Sequence, residues 1–164
     1  MYAVILLALL QARAGPVAVD LRWGPVLEAA ETPAGGSDLR GGAAVGVSIG
    51  PSSALKPELE ALVMIPRIET GPGFRLVRSG ARASLLWVVD VEQSGVGMKL
   101  SLGPTLVTEW SRWTSPVDVS GVRVNGGGRV RLSMGPAAGS WSMGAGWNVS
   151  SSGTGMDLQL ELYR

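Results

Sequence analysis

Residues 156–162, Met-Asp-Leu-Gln-Leu-Glu-Leu, alternate apolar and polar at every step. Side chains on a strand point to opposite faces in turn, so this segment has one apolar face and one polar face. The same alternation recurs at residues 98–102 and 129–134. Read along the chain, it yields candidate strands at 17–23, 43–49, 58–65, 74–91, 96–110, 117–124, 129–134, 140–149 and 156–162. Segment 58–65 also reads as a short helix after Lys56-Pro57, and 74–91 could break at Ser79-Gly80.

Turn chemistry separates the candidates. Gly71-Pro72-Gly73, Gln93-Ser94-Gly95 and the run from Gly135 to Gly139 read as turns, and Asn125-Gly126-Gly127-Gly128 reads as a hairpin. Gly121 shifts the phase of its segment and reads as a bulge. Residues 31–42 and 111–116 read as loops, rich in Gly, Pro, Ser and Asp in the first case. The candidates number nine, whereas single-chain bacterial barrels have even strand counts, so one assignment must give way. Eight strands is the simplest count, with ten as the alternative.

Alternation alone does not say which face is inside. The character of the polar face does. In 140–149 it is Ser142, Gly144, Gly146 and Asn148, small rather than charged, which suits a narrow interior better than a water-facing surface. Elsewhere Arg82, Lys99, Arg129 and Arg131 share the polar face with Asp90, Asp157 and Glu161, so opposite charges could pair inside a closed wall. The apolar residues would then face lipid. The expected fold is an all-β, antiparallel up-and-down transmembrane β-barrel. The competing reading is a soluble secreted barrel, lipocalin-like, with its apolar face turned in around a small apolar ligand. Trp110 and Trp113, near a strand end, fit a headgroup-level anchor, whereas Trp87 fits core packing equally well.

Segments such as Met98-Lys99-Leu100-Ser101-Leu102-Gly103-Pro104 and Ser142-Met143-Gly144-Ala145-Gly146-Trp147 resemble strands of the small outer-membrane β-barrel proteins of Gram-negative bacteria. The resemblance covers most of residues 17–163 and is one of style, without a signature motif. It implies the outer-membrane bilayer as the principal partner. Such proteins commonly end on an aromatic residue in phase with the lipid face; here Arg164 holds that position and Tyr163 is out of phase.

Composition narrows the chemistry. The chain has 164 residues, one domain's worth, with 16% charged residues and a formal net charge of +1, so nucleic acid is not implied. It has no cysteine and no histidine, which removes thiolate metal sites, cysteine nucleophiles and the usual base of serine hydrolases. Enzymes among the resembling proteins use histidine, so no catalytic residue carries over. A Ser–Lys pair would have to use Lys56 or Lys99, and the pairs Glu58/Glu60 and Asp90/Glu92 read as solvated or lumen charges. Gly126-Gly127-Gly128 lacks the Lys-Ser/Thr of a phosphate loop, and Asn148-Val149-Ser150 matches a glycosylation acceptor in a bacterial-looking context. No cofactor or metal constellation stands out.

Residues 3–10 are continuously apolar and are followed by Ala12-Arg13-Ala14, a small-x-small pattern. Residues 1–14 read as an export signal and 15–164 as a single barrel domain. The expected role is non-enzymatic: anchoring, or contact with a protein partner through loops 31–42 and 111–116, because function on barrels sits on loops.

Overall fold

A computed structural model describes residues 18–31, 37–50, 55–114, 118–151 and 153–163, with backbone only for Ala18, Glu31 and Ser37. The expected export segment 1–14 and Arg164 lie outside the described residues. Nine strands follow in order: β1 (Ala18–Glu31), β2 (Ser37–Gly50), β3 (Lys56–Met64), β4 (Arg67–Gly71), β5 (Phe74–Gln93), β6 (Val96–Thr114), β7 (Val119–Pro136), β8 (Trp141–Ser150) and β9 (Gly153–Tyr163). Every pairing is antiparallel between sequence neighbours, save that β1 pairs β9 and both β3 and β4 pair β5. β3 and β4 are therefore one broken strand, and the sheet closes into an eight-stranded up-and-down barrel.

The break is a bulge. Val63 pairs Ala81 and Arg67 pairs Arg78, so three residues of one strand oppose two of the other. Pro66, with no N–H to give, sits in the extra space. The carbonyl of Met64 is recovered by the Ser79 hydroxyl, which donates to it at 3.0 Å.

Segment 58–65 is a strand, not a helix, and 74–91 is unbroken within β5. The surplus candidate lies elsewhere. Segments 117–124 and 129–134 belong to one strand, β7, and Asn125-Gly126-Gly127-Gly128 runs through its middle rather than turning a hairpin. The run pairs residue for residue with β6, from Val107↔Asn125 to Pro104↔Gly128, and a bonded neighbour outweighs a local turn preference. Gly121 is no bulge, since Ser111↔Gly121 falls in an unbroken register. The two-residue turn Ser94-Gly95 does reverse the chain, with φ of 52° and 80°, the sign a type I′ hairpin requires.

The expected loops shrink. Glu31 ends β1 and residues 37–42 are already in β2, while 111–114 complete β6. Barrel strands that continue past the main ring stay bonded to a neighbour, so polar and glycine-rich sequence is carried as strand. The apolar face points outward: Leu59, Leu85, Trp87, Leu100, Leu102 and Leu158 are all exposed around the wall. Trp110 lies on that outer face. Trp113, expected as a second anchor, instead shares the phase of the inward Ser101 and Thr105, and its ring lies 5.9 Å from that of Phe74.

Candidate functional site

The interior of the barrel is ionic. Inward positions along each strand alternate with the apolar outer ones. They present Arg22 from β1, Glu58 and Glu60 from β3, Arg82 from β5, Arg129 and Arg131 from β7, and Asp157, Gln159 and Glu161 from β9. All are buried, Arg131 completely so. The spacing explains why they meet. Glu58/Glu60 and Arg129/Arg131 are each two residues apart on a strand, hence on one face, and the closed sheet sets those faces across a narrow lumen.

The pairs cross the lumen from wall to wall. Glu60 Oε2 accepts from Arg22 and, at 2.7 Å, from Arg131. Its other oxygen lies 2.8 Å from Arg129 Nε. That contact lacks hydrogen-bond alignment, and both atoms remain without a hydrogen-bond partner, so it acts by charge alone. Glu58 sits 2.7 Å from Arg22 and 3.0 Å from Arg131. Asp157 accepts from Arg129 at 2.5 Å and 3.0 Å, and from Arg82 at 3.0 Å. Arg82 also reaches Glu28, at 2.9 Å.

Small residues make the room. A Cβ on Gly46 would stand 2.7 Å from Arg22 Nε, and one on Gly146 would stand 2.6 Å from Arg129 Nη1 and 2.8 Å from Asp157 Oδ1. Gly46 on β2 and Gly146 on β8 are thus the seats of guanidinium groups, while Gly144 on β8 makes room for the Glu161 carboxylate. Removing so many charges from water is costly, and only mutual pairing offsets it.

At the end of the barrel that holds the Ser94-Gly95 turn, Lys56 Nζ lies 2.5 Å from Asp20 and 2.8 Å from Asp90. Lys99 Nζ sits 4.0 Å from the centre of the Tyr163 ring. The Tyr163 hydroxyl donates to Glu161 at 2.5 Å. Among the described residues no group of three or more carboxylates is arranged to hold a metal ion.

The opposite end opens into a cavity of about 670 Å³ lined by Glu28, Arg40, Arg78, Arg82, Glu109 and Arg123, among others. Asp38 accepts from Arg40 at 2.7 Å and also from Arg67. Arg67 and Arg78 are directly opposite across β4 and β5, a like-charged cross-strand pair whose repulsion Asp38 relieves on the Arg67 side. Arg78 and Arg123 have no ion-pair partner among the described residues.

Of the inward charges expected from the alternation, Arg82, Arg129, Arg131, Asp157 and Glu161 come together in one network, while Asp90 and Lys99 lie apart from it near the turn end. Glu58 and Glu60 resolve to lumen charges, not solvated ones. Arg22 carries the same signal, a charge between Leu21 and Trp23, but its role depends on Glu58 and Glu60 coming across the lumen. Arg40, Arg78 and Arg123 at the mouth give no periodic signal of their own.

No protein-family model matches the chain, and no curated protein matches it in sequence. Solved structures do. The crystal structure of Ail, the attachment invasion locus protein of Yersinia pestis, superposes with a TM-score of 0.63 at 10% identity, over 88% of this chain and 96% of that one. Ail in complex with the heparin analogue sucrose octasulfate gives 0.64 at 9% identity, with the same coverage. Neisserial surface protein A gives 0.57 at 12% identity, over 91% of this chain and 98% of that one. At such identities the likeness is one of fold, and the fold is that of the small outer-membrane β-barrels.

Proposed function

We propose that the chain is a non-enzymatic protein of the Gram-negative outer membrane, exported by residues 1–14, closed to bulk conduction, and active in surface contact through the end opposite the Ser94-Gly95 turn. The observation that carries this reading is the inverted barrel. Apolar side chains face outward around the whole wall, and paired charges fill the inside. A soluble lipocalin-like barrel would bury the apolar set around a ligand, whereas here most large apolar side chains stand exposed on the outer wall and the few buried ones, Leu62, Met64, Leu86 and Val88 among them, share the interior with the ion network. Catalysis finds little support, because the lumen carboxylates are held by arginines, which do not act as proton donors at ordinary pH.

Expression with the native leader in a Gram-negative host, followed by envelope fractionation, tests the reading. The chain is expected in the outer-membrane fraction with heat-dependent gel migration, and in planar bilayers it should show no stepwise conductance. Recovery in the soluble periplasm would remove the membrane reading altogether.

A second reading concerns the mouth. Arg78 and Arg123, which line the mouth without an ion-pair partner among the described residues, favour an anionic ligand there, and the Ail complex shows a sulfated sugar on the same fold. Sucrose octasulfate should bind the micelle-refolded protein. Arg78→Ser should weaken that binding about tenfold in isothermal titration calorimetry. Equal affinity in the variant would remove Arg78 from the site.

A further inference from the structure

Past Gly127, β7 loses one of its neighbours. Its register with β8 begins at Gly127↔Ser150, while its register with β6 runs on to Trp113↔Val119. Among the described residues, 119–125 are thus paired on one side only, and Gly126 keeps a single contact on the other. One contact fixes the direction of the free groups. The Ser151 amide donates to the Gly126 carbonyl at 3.4 Å, so Gly126 faces the β8 side. Main-chain groups alternate in direction along an antiparallel strand. Ser120, Val122 and Val124 therefore turn N–H and C=O to the open side, and the residues between them bond to β6.

Edges are ordinarily guarded by proline, bulges or inward charges. Residues 119–126 contain no proline, and their register with β6 is unbroken. Val122 and Val124 are 73% and 58% exposed. The single charge, Arg123, faces the inner side, where it lines the mouth cavity without an ion-pair partner among the described residues. Its register neighbour Glu109 lies 3.8 Å from Arg40 instead. Such a charge repels most strands but welcomes one that brings a carboxylate.

We propose that residues 119–125 accept an extended strand from a partner protein, carrying a carboxylate opposite Arg123 and apolar side chains beside Val122 and Val124. Strand addition satisfies the free main-chain groups and the unpaired guanidinium together. A second copy is a poor occupant. Two barrels in one membrane share the same up–down sense, so their β7 edges would meet as parallel strands of opposite tilt, with Arg123 near its own copy. That exclusion rests on the outer-membrane reading above; the edge itself does not.

The test uses the full chain refolded in detergent micelles and checked by heat-dependent migration. The probe is a fluorescein-labelled eight-residue peptide alternating valine with glutamate and threonine. Saturable binding by anisotropy is expected, weakened at least tenfold by the double change Val122→Pro and Val124→Pro, which removes open-side N–H groups and leaves the β6 ladder intact. Arg123→Glu should weaken the same peptide and favour one with lysine in place of glutamate. If the proline variant loses heat-dependent migration, N-methylation of alternate peptide amides makes the same test on the unaltered protein, with one phase losing binding and the other keeping it. Absence of binding, equal binding to the proline variant, or indifference to the phase of methylation overturns the proposal. A concentration-dependent dimer abolished by the prolines overturns it in favour of self-pairing. A chain that never shows heat-dependent migration fails the barrel reading instead.

Discussion

Replacing Glu60 by Gln should destabilise the folded barrel by about 3–5 kcal/mol, the usual cost of removing one partner from a buried ion cluster. Glu60 contacts Arg22, Arg129 and Arg131, and Arg82 lies 3.9 Å away. The amide keeps the shape of the carboxylate but supplies no charge to four buried guanidinium groups, and it points a donor at one of them. The measurement is urea unfolding in phospholipid vesicles, followed by tryptophan fluorescence. A double-mutant cycle with Arg131→Met separates the pair from the network. Removing both partners should cost less than the sum of the single changes, because the second change removes a charge the first left unpaired. A loss under about 1 kcal/mol in the single variant would mean that water reaches the lumen and screens the charges.

The second large effect is steric and sits at the seam. β1 meets β9 through Trp23↔Leu162 and Val26↔Gln159, with Gly24-Pro25 between them. A Cβ on Gly24 would stand 1.7 Å from the Leu160 carbonyl oxygen, which is backbone and cannot rotate away. Gly24→Ala should therefore prevent closure: the refolded sample should lack the heat-modifiable band. Gly128→Ala is the matched control. A Cβ there meets nothing within 4 Å, and its φ is not of the kind that demands glycine. That variant should fold, and gain about 0.4–1 kcal/mol from the reduced freedom of its unfolded chain. If both alanines behave alike, close approach at the seam is not what glycine provides.

The two glycines also show what the sequence can and cannot disclose. Alternation at 129–134, 140–149 and 156–162 names the faces, and the small or paired character of the polar set says which face is inside. That inference rests on chemistry local to each strand, so one sequence carries it. The Asn125–Gly128 run misleads because its turn preference is local while its strand state is imposed by β6, through contacts some twenty residues away in sequence. The odd count of nine was resolved there, and not at 58–65 or 74–91. The ion network is half legible: each member is a charge on a polar face, but the pairing of Glu60 with Arg131 spans 71 residues and depends on closure. The mouth arginines and the open β7 edge follow from where neighbouring strands stop, and strand ends are set by tertiary pairing more than by composition.

The wall-to-wall ion pairs also constrain how the protein reaches the bilayer. Several pairs, Arg131–Glu60, Arg82–Asp157 and Arg82–Glu28 among them, join strands well separated in the sheet, so they form only once the sheet curls. A flat or half-curled sheet within lipid would lay unpaired arginines against acyl chains, at about 2.5–3.5 kcal/mol for each one near the midplane. Insertion and curling must therefore proceed together, with the charged face kept wet by a defect in the bilayer or by a chaperoning surface until the last strand pairs. On the proposed outer-membrane reading, the ion network that fills the finished lumen thus makes spontaneous entry into an intact bilayer slow, and ties its rate to whatever thins or opens the membrane.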